Sequence, residues 1–295
     1  MSSVHYKLSI IKRGEGRSTV AAAAYRASEK IYNHRTGLWH DFTNKRGLVH
    51  SEILLPEHAP EQYHDRAILW NSVEHAEKPK NAQLSRHLEV GLPVELDQAA
   101  QIDLLRDYVQ AHFVDRGMCA DICVHDKGDG NPHAHIMFTL RPINPDGTWG
   151  EKSRREHILD KQGQRILLPS GADYKSRKIS LTGWDDQGNA EIWRDAWAKA
   201  VNREYERLGL DLYVDLRSYA RQGLDTEPTR HLGPTATQME REGKLTYLGD
   251  VNRDIEARNA RRERQKAQTH ERGPTYEQWL ESHKKEQSRG LERGR

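Results

Sequence analysis

The sequence predicts an α+β fold: an antiparallel or mixed sheet of about five strands with helices packed on one side, followed by a helical C-terminal part. Three observations carry this. Alternating apolar runs and runs with helical spacing succeed one another as β-α-β-β-α-β-α-β-β over residues 4–140. Two of the strand-like runs are separated by Lys127-Gly128-Asp129-Gly130-Asn131-Pro132, a set of turn formers. Beyond residue 225 the pattern becomes helical and charge-dense. The boundaries that follow are one domain over 1–225 and a charged helical extension over 226–295.

Residues 4–11 alternate and read as a strand, and residues 12–17 form a basic, glycine-rich loop. Ser18 is a helix N-cap for the alanine-rich run 19–30, whose four successive alanines allow close packing. Short strands follow around 38–42 and 49–55. Residues 61–75 have helical periodicity, 83–92 read as a strand ended by Pro93, and 97–114 form an amphipathic helix. Residues 119–124 and 135–140 make the two arms of the hairpin. Residues 144–188 read as loop. Residues 190–208 are helical, with Trp193 and Trp197 on one face as core anchors. After an irregular connector over 226–233, helices are expected at 235–242 and 250–268.

Composition narrows the function classes. Hydrophobic residues make up 35% and charged residues 31% of the 295 positions, so part of the chain should lie outside a compact core. No apolar run approaches the roughly 20 residues of a membrane span. The start of the chain lacks the features of a signal peptide, which makes the cytoplasm the expected location. Two cysteines, Cys119 and Cys123, do not build a disulfide framework and read as small core residues. The net charge of +2 says nothing about nucleic acid. From Arg253 to Arg295, 12 Lys and Arg stand against 8 Asp and Glu, which fits a solvated helix as well as a DNA contact.

The chemistry concentrates in two places. His133 and His135 lie two apart on a strand, so their rings share a face, and a hairpin brings His125 alongside. A lone His-x-His carries little weight where 16 of 295 residues are histidine. The third histidine across the turn favours an open metal site. Tyr25 follows the basic loop and precedes Arg26. A tyrosine in an alanine-rich helix is ordinarily a packing residue. Beside a metal-bound phosphate its hydroxyl can attack phosphorus, with the ion drawing charge from the non-bridging oxygens.

These blocks resemble the HUH endonucleases, and in detail the MobA/MobL family of plasmid relaxases. The family pattern is carried by Gly16-Arg17-Ser18-Thr19-Val20-Ala21-Ala22-Ala23-Ala24-Tyr25-Arg26, by the block from Arg35 to Glu52, by His125-Asp126 with Gly130-Asn131-Pro132-His133-Ala134-His135, and by Glu227-Pro228-Thr229-Arg230-His231-Leu232-Gly233. The matches run from about residue 5 to 255. The resemblance implies that residues 1–225 are the catalytic domain, with Tyr25 as nucleophile and His125, His133 and His135 holding Mg²⁺ or Mn²⁺. It implies metal-dependent nicking and rejoining of single-stranded or hairpin DNA at a plasmid transfer origin through a 5′-phosphotyrosine. Relaxosome accessory proteins and a type IV coupling protein are the further partners it implies. Many members continue into a primase or helicase region, so the chain is expected to be a short member or part of a longer one.

The family strand often reads Arg-Glu-x-Glu, and here it is Arg86-His87-Leu88-Glu89. Glu89 could orient a ligating histidine, accept the tyrosine proton, or be a plain surface carboxylate. Leu216 stands where the family often has histidine. Tyr32, seven residues after Tyr25, would lie on the same helix face if the helix continued, and reads as structural. Asp126 and Asp129 read as turn formers. Lys12, Arg13, Arg17, Arg26, Lys45 and Arg46 border the expected site and could contact DNA phosphates. The rival readings are a rolling-circle replication initiator, a DNA-binding protein with a structural metal, and a metal-dependent hydrolase that uses water.

Overall fold

The computed structural model of the chain describes residues 4–271. Residues 272–295, the end of the expected charged extension, lie outside them. Two compact units part between Leu216 and Arg217. The first runs β1 (Tyr6–Lys12), α1 (Thr19–Ala27), β2 (Lys30–Asn33), β3 (Leu38–Asp41), β4 (Leu48–Leu54), α2 (Arg66–Ala76), β5 (Gln83–Gly91), α3 (Gln98–His112), β6 (Ala120–His125), β7 (His133–Phe138), β8 (Ser153–His157), β9 (Ser176–Ser180) and α4 (Asn189–Arg207). The main sheet is ordered β1-β5-β7-β6-β4, and every neighbouring pair is antiparallel.

Helices cover both faces of this sheet, not one. The reason is that its central strands are apolar on both sides. The cross-strand row Leu8, Leu88, Ile136 and Ile122 points to one face, with Val90, Ala134 and Val124 beside it. That face packs against Leu105, Tyr108 and Val109 of α3 and Trp193, Trp197 and Val201 of α4. The other face carries Ile11 and Met137, which meet Ala23 and Ala24 of α1 and Leu69, Trp70 and Val73 of α2. A strand buried on both sides reads as a continuous apolar run, and one-sided alternation is what a half-solvated sheet would show.

Three local expectations change. Helix α1 stops at Ala27, not Lys30, because Ser28 turns left-handed (φ 55°), alone among the described non-glycine residues. Tyr32 is therefore not on the helix. It lies in β2 and pairs across to Trp39 of β3, with ring centroids 5.1 Å apart. The run Ile31-Tyr32 has the β-branched and aromatic character that a strand accommodates. Within 144–188, β8 and β9 form a ribbon whose strands are too charged to show a period; Arg177 reaches Glu156 at 2.7 Å across it.

A buried ion pair ties α2 to the sheet. Asp121 of β6 accepts from Arg66 Nε at 2.9 Å and Nη2 at 2.9 Å, and from Trp70 Nε1 at 2.7 Å. Arg66 also bonds Glu29, next to the end of α1. Burial opposes the charge on Arg66, but the Asp121 carboxylate overcomes this and raises its pKa.

The second unit contains α5 (Gly233–Arg241) and α6 (Tyr247–Glu271). Two asparagines of α6 each clasp the backbone of the irregular segment before α5. Asn259 accepts from Glu227 N at 3.0 Å and donates to Glu227 O at 2.9 Å; Asn252 does the same at Arg230, at 2.7 and 2.8 Å. No helix of the described residues is long and apolar enough to cross a membrane.

Removing one partner of a buried pair strands the other charge. Asp121→Ala is therefore expected to lower the unfolding free energy by about 3–5 kcal/mol, measured by urea denaturation. Arg177→Ala, which breaks an exposed pair, should change it by no more than about 0.5 kcal/mol.

Candidate active site

The pleat of the sheet assembles the polar cluster. His125 lies directly opposite His133, Cys123 opposite His135, Glu89 opposite His135, and Ser9 opposite His87. Directly paired residues point the same way, and so do residues two apart on one strand. All these side chains therefore project from the face that also meets α1 and α2. The turn between β6 and β7 is shaped by Gly128 and Gly130, both at positive φ (72° and 76°). Asp126 Oδ1 accepts from Gly128 N at 2.7 Å and Asp129 Oδ1 from Asn131 N at 3.3 Å, so both aspartates do turn work.

The three histidine rings converge. Their centroids are 5.7 Å (His125 to His133), 5.5 Å (His125 to His135) and 5.2 Å (His133 to His135) apart. Imidazoles sharing one ion at a nitrogen–metal distance of ~2.1 Å have centroids roughly 5 Å apart. The donor set suits an ion in other respects. His125 Nε2 is buried without a hydrogen-bond partner. His133 Nδ1 donates to the Asn131 carbonyl at 2.8 Å, which leaves its Nε2 as the lone pair. Burial, with Lys45 and then His133 adding positive charge, pushes the His125 pKa down to about 4. Burial also lowers that of His135, helped by His87 and Arg26. Both rings are therefore neutral at neutral pH, the state in which histidine binds metal.

A second donor group overlaps the first. His87, Glu89 and His135 bring one possible ligand atom each within 4.8 Å of one another, and could also hold a divalent ion. His87 Nε2 is 3.2 Å from His135 Nδ1, and Glu89 Oε2 is 3.9 Å from it. The carboxyl of Glu89 is held well below the usual range, against the cost of burial, first by His5, whose Nε2 lies 3.6 Å from Glu89 Oε1. Glu89 therefore sits as an anion beside His135 and His5.

Tyr25 occupies the last turn of α1 and is 50% exposed. Its ring stands edge-on to Phe42 at 5.2 Å. Lys45 fixes it from above: the ammonium is 4.1 Å from the ring centroid and donates to the Tyr25 carbonyl at 3.1 Å. The same lysine is the largest charge acting on His125. Tyr25 lines a cleft of about 520 Å³ together with Arg17, Ser18, Arg35, Leu38 and His40. The N-terminus of α1 is pinned by Glu74 of α2, whose Oε1 accepts from Thr19 N at 2.9 Å and Thr19 Oγ1 at 3.2 Å.

Two of the expected DNA-contacting cations, Arg13 and Arg26, line the Tyr25 cleft but are held by protein partners. The Arg13 side chain is only 8% exposed, donating to Glu74 at 2.8 Å and to the carbonyls of Glu74, Glu77 and Pro79. It closes the network that anchors α1. Arg26 is 9% exposed, donates to Ala22 O at 2.9 Å and lies 3.7 Å from Met137 Sδ. Its guanidinium supplies buried positive charge behind the histidines. Lys45 is half-buried, whereas Arg17 and Arg46 are exposed.

Sequence reasoning missed His5 and undervalued His87. For His87 the signal was present: the alternation in Arg86-His87-Leu88-Glu89 puts it on the same face as Glu89. For His5 nothing in the sequence reveals that its strand runs beside Glu89.

The MobA/MobL family profile matches residues 17–242. Conjugal transfer protein TraA of Agrobacterium fabrum is 37% identical over 275 residues, covering 89% of this chain and 24% of its own length. Probable mobilization protein MobA of Bifidobacterium longum is 32% identical, covering 88% of this chain and 48% of its own. Mobilization protein MobL of Acidithiobacillus ferridurans is 32% identical, covering 82% and 64%. The chain thus spans about a quarter of the length of its TraA relative. A solved structure described as "Molecular Basis of Vancomycin Resistance Transfer in Staphylococcus aureus" superposes with a TM-score of 0.62 at 28% identity, covering 73% of this chain and 99% of that one. A profile match over most of the chain, with a matching fold, means that this chain belongs to the MobA/MobL family.

Proposed function

We propose that this chain is the catalytic part of a conjugative relaxase that nicks and rejoins one strand of plasmid transfer-origin DNA. The observation that carries the reading is the convergence of three imidazoles, those of His125 and His135 held neutral by burial, on the sheet face against which α1 packs. The chemistry is proposed to lie within residues 1–225. The DNA would be single-stranded or hairpin, with relaxosome accessory proteins and a type IV coupling protein as its further partners.

His125, His133 and His135 would hold Mg²⁺ or Mn²⁺, which when bound draws charge from the non-bridging oxygens of the scissile phosphate and orients it. The Tyr25 Oη attacks phosphorus. The Oη–P bond forms, the P–O3′ bond breaks, and the 3′ oxygen leaves with the electron pair and takes a proton, while the phenol loses its own. Tyr25 then carries the 5′ phosphate, and the reverse reaction rejoins the strand. The phosphotyrosine stores the energy of the broken ester, so no nucleotide cofactor is required. Lys45 holds the Tyr25 ring, a contact worth about 0.5–1 kcal/mol at an exposed site. Arg17 and Arg46 are exposed enough to meet DNA phosphates, and Lys45, beside the Tyr25 ring, would add its charge at the scissile phosphate.

Incubation with labelled transfer-origin oligonucleotides and Mn²⁺ should give a protein–DNA adduct that survives a denaturing gel. Tyr25→Phe should reduce it by on the order of 10³-fold or more. Cleavage without an adduct would instead identify a water-using hydrolase. EDTA should abolish the adduct, Mn²⁺ should restore it, and the circular dichroism spectrum should not change. Unfolding on chelation would mean that the ion is structural.

A further inference from the structure

One polar contact at the site is not explained by ion binding alone. His87 is almost fully buried, its ring stacks on His135 with centroids 5.3 Å apart, and its Nε2 lies 3.2 Å from His135 Nδ1. Two imidazole nitrogens at that separation share one hydrogen, and its position decides which end of His135 has a lone pair. On Nδ1, the hydrogen points at His87 and leaves Nε2 free. On the His87 side, it forces the His135 hydrogen onto Nε2, which then cannot bind an ion.

The surroundings decide between these. Glu89 Oε2 is 3.9 Å from His135 Nδ1, and a carboxylate there favours an N–H over a lone pair. His87 Nε2 then accepts, so its own hydrogen is on Nδ1. That nitrogen faces Ser9 Oγ at 3.3 Å, a hydroxyl able to accept. The result matches the neighbouring ligand: His133 donates from Nδ1 to the Asn131 carbonyl and also keeps Nε2 free.

We infer that His87 is a positioning residue, a neutral imidazole that accepts the Nδ1 hydrogen of His135 and so presents His135 Nε2 to the metal. The inference rests on the three-histidine reading above. It assigns to His87 the part that a carboxylate or backbone carbonyl commonly plays behind a metal-bound histidine. It also gives the His87, Glu89 and His135 group a hydrogen-bonding role in place of a second ion.

The test is imidazole ¹⁵N NMR on the full metal-free chain, with Mn²⁺ affinity measured in parallel. His135 should show the Nδ1–H tautomer; an Nε2–H tautomer overturns the inference. His87→Ala should weaken Mn²⁺ binding by about 10–100-fold. His87→Gln, whose amide oxygen can accept the same hydrogen, should recover much of that loss and controls for misfolding of the alanine variant. Unchanged affinity in His87→Ala overturns the proposal, as does a Zn²⁺ titration that shifts the His87 nitrogens as directly bound. If wild-type protein binds no Mn²⁺ at all, the three-histidine reading itself fails, whatever the tautomer.

Discussion

The site depends on the register of one strand pair. His125 lies opposite His133, and this pairing aligns the histidines of β6 and β7 with Glu89 and His87 of β5. Side chains in a strand repeat every two residues, so a slip of one residue would turn His133 and His135 into the core around Tyr108, Trp193 and Trp197. It would also expose Ala134 and Ile136 to the polar face. Burial of the apolar row therefore holds the polar row in place. The chemistry needs no separate means of alignment, because the hydrophobic face that stabilises the fold enforces it.

Tyr25 is positioned by a different set of forces. α1 is short, and its alanines offer little side chain to fix it in rotation. Its placement comes from its ends. Glu74 receives the first amide and the Thr19 hydroxyl, while Arg13 and Arg35 lie beside the same carboxylate at 2.8 and 3.4 Å. The Glu74 carboxyl pKa is lowered despite its burial, because Arg13 and the Thr19 amide hydrogen-bond to it. At the other end, left-handed Ser28 stops the helix two residues after Arg26. Tyr25 thus sits on a rigid turn between two fixed points, with Lys45 across its ring.

Much of this was legible in the sequence, and the exceptions have physical causes. The hairpin of β6 and β7, the N-cap at Ser18 and the helix carrying Trp193 and Trp197 all follow from periodicity and turn chemistry. Covering helices on both faces was not readable, because short apolar runs look alike whether a strand is buried on one side or two. The stop at Ser28 was hidden because serine rarely adopts positive φ. Sequence proximity to Tyr25 also cannot distinguish an open cation such as Arg17 from Arg13 and Arg26, which have protein partners on α2 or on their own helix. His5 became meaningful only once the start of β1 lay beside β5.

The asparagine clasps of the second unit show how two different backbone geometries can be made commensurate. Asn252 and Asn259 are seven residues apart on α6, a rise of about 10.5 Å at 1.5 Å per residue. Their partners, Arg230 and Glu227, are three residues apart, and three residues of extended chain span roughly 10 Å. The two lengths agree to within the reach of a side-chain amide, so both clasps close together. The segment is thereby indexed against the helix like a rule against a scale. Lengthening either element by one residue between the clasps would leave one asparagine facing the wrong peptide.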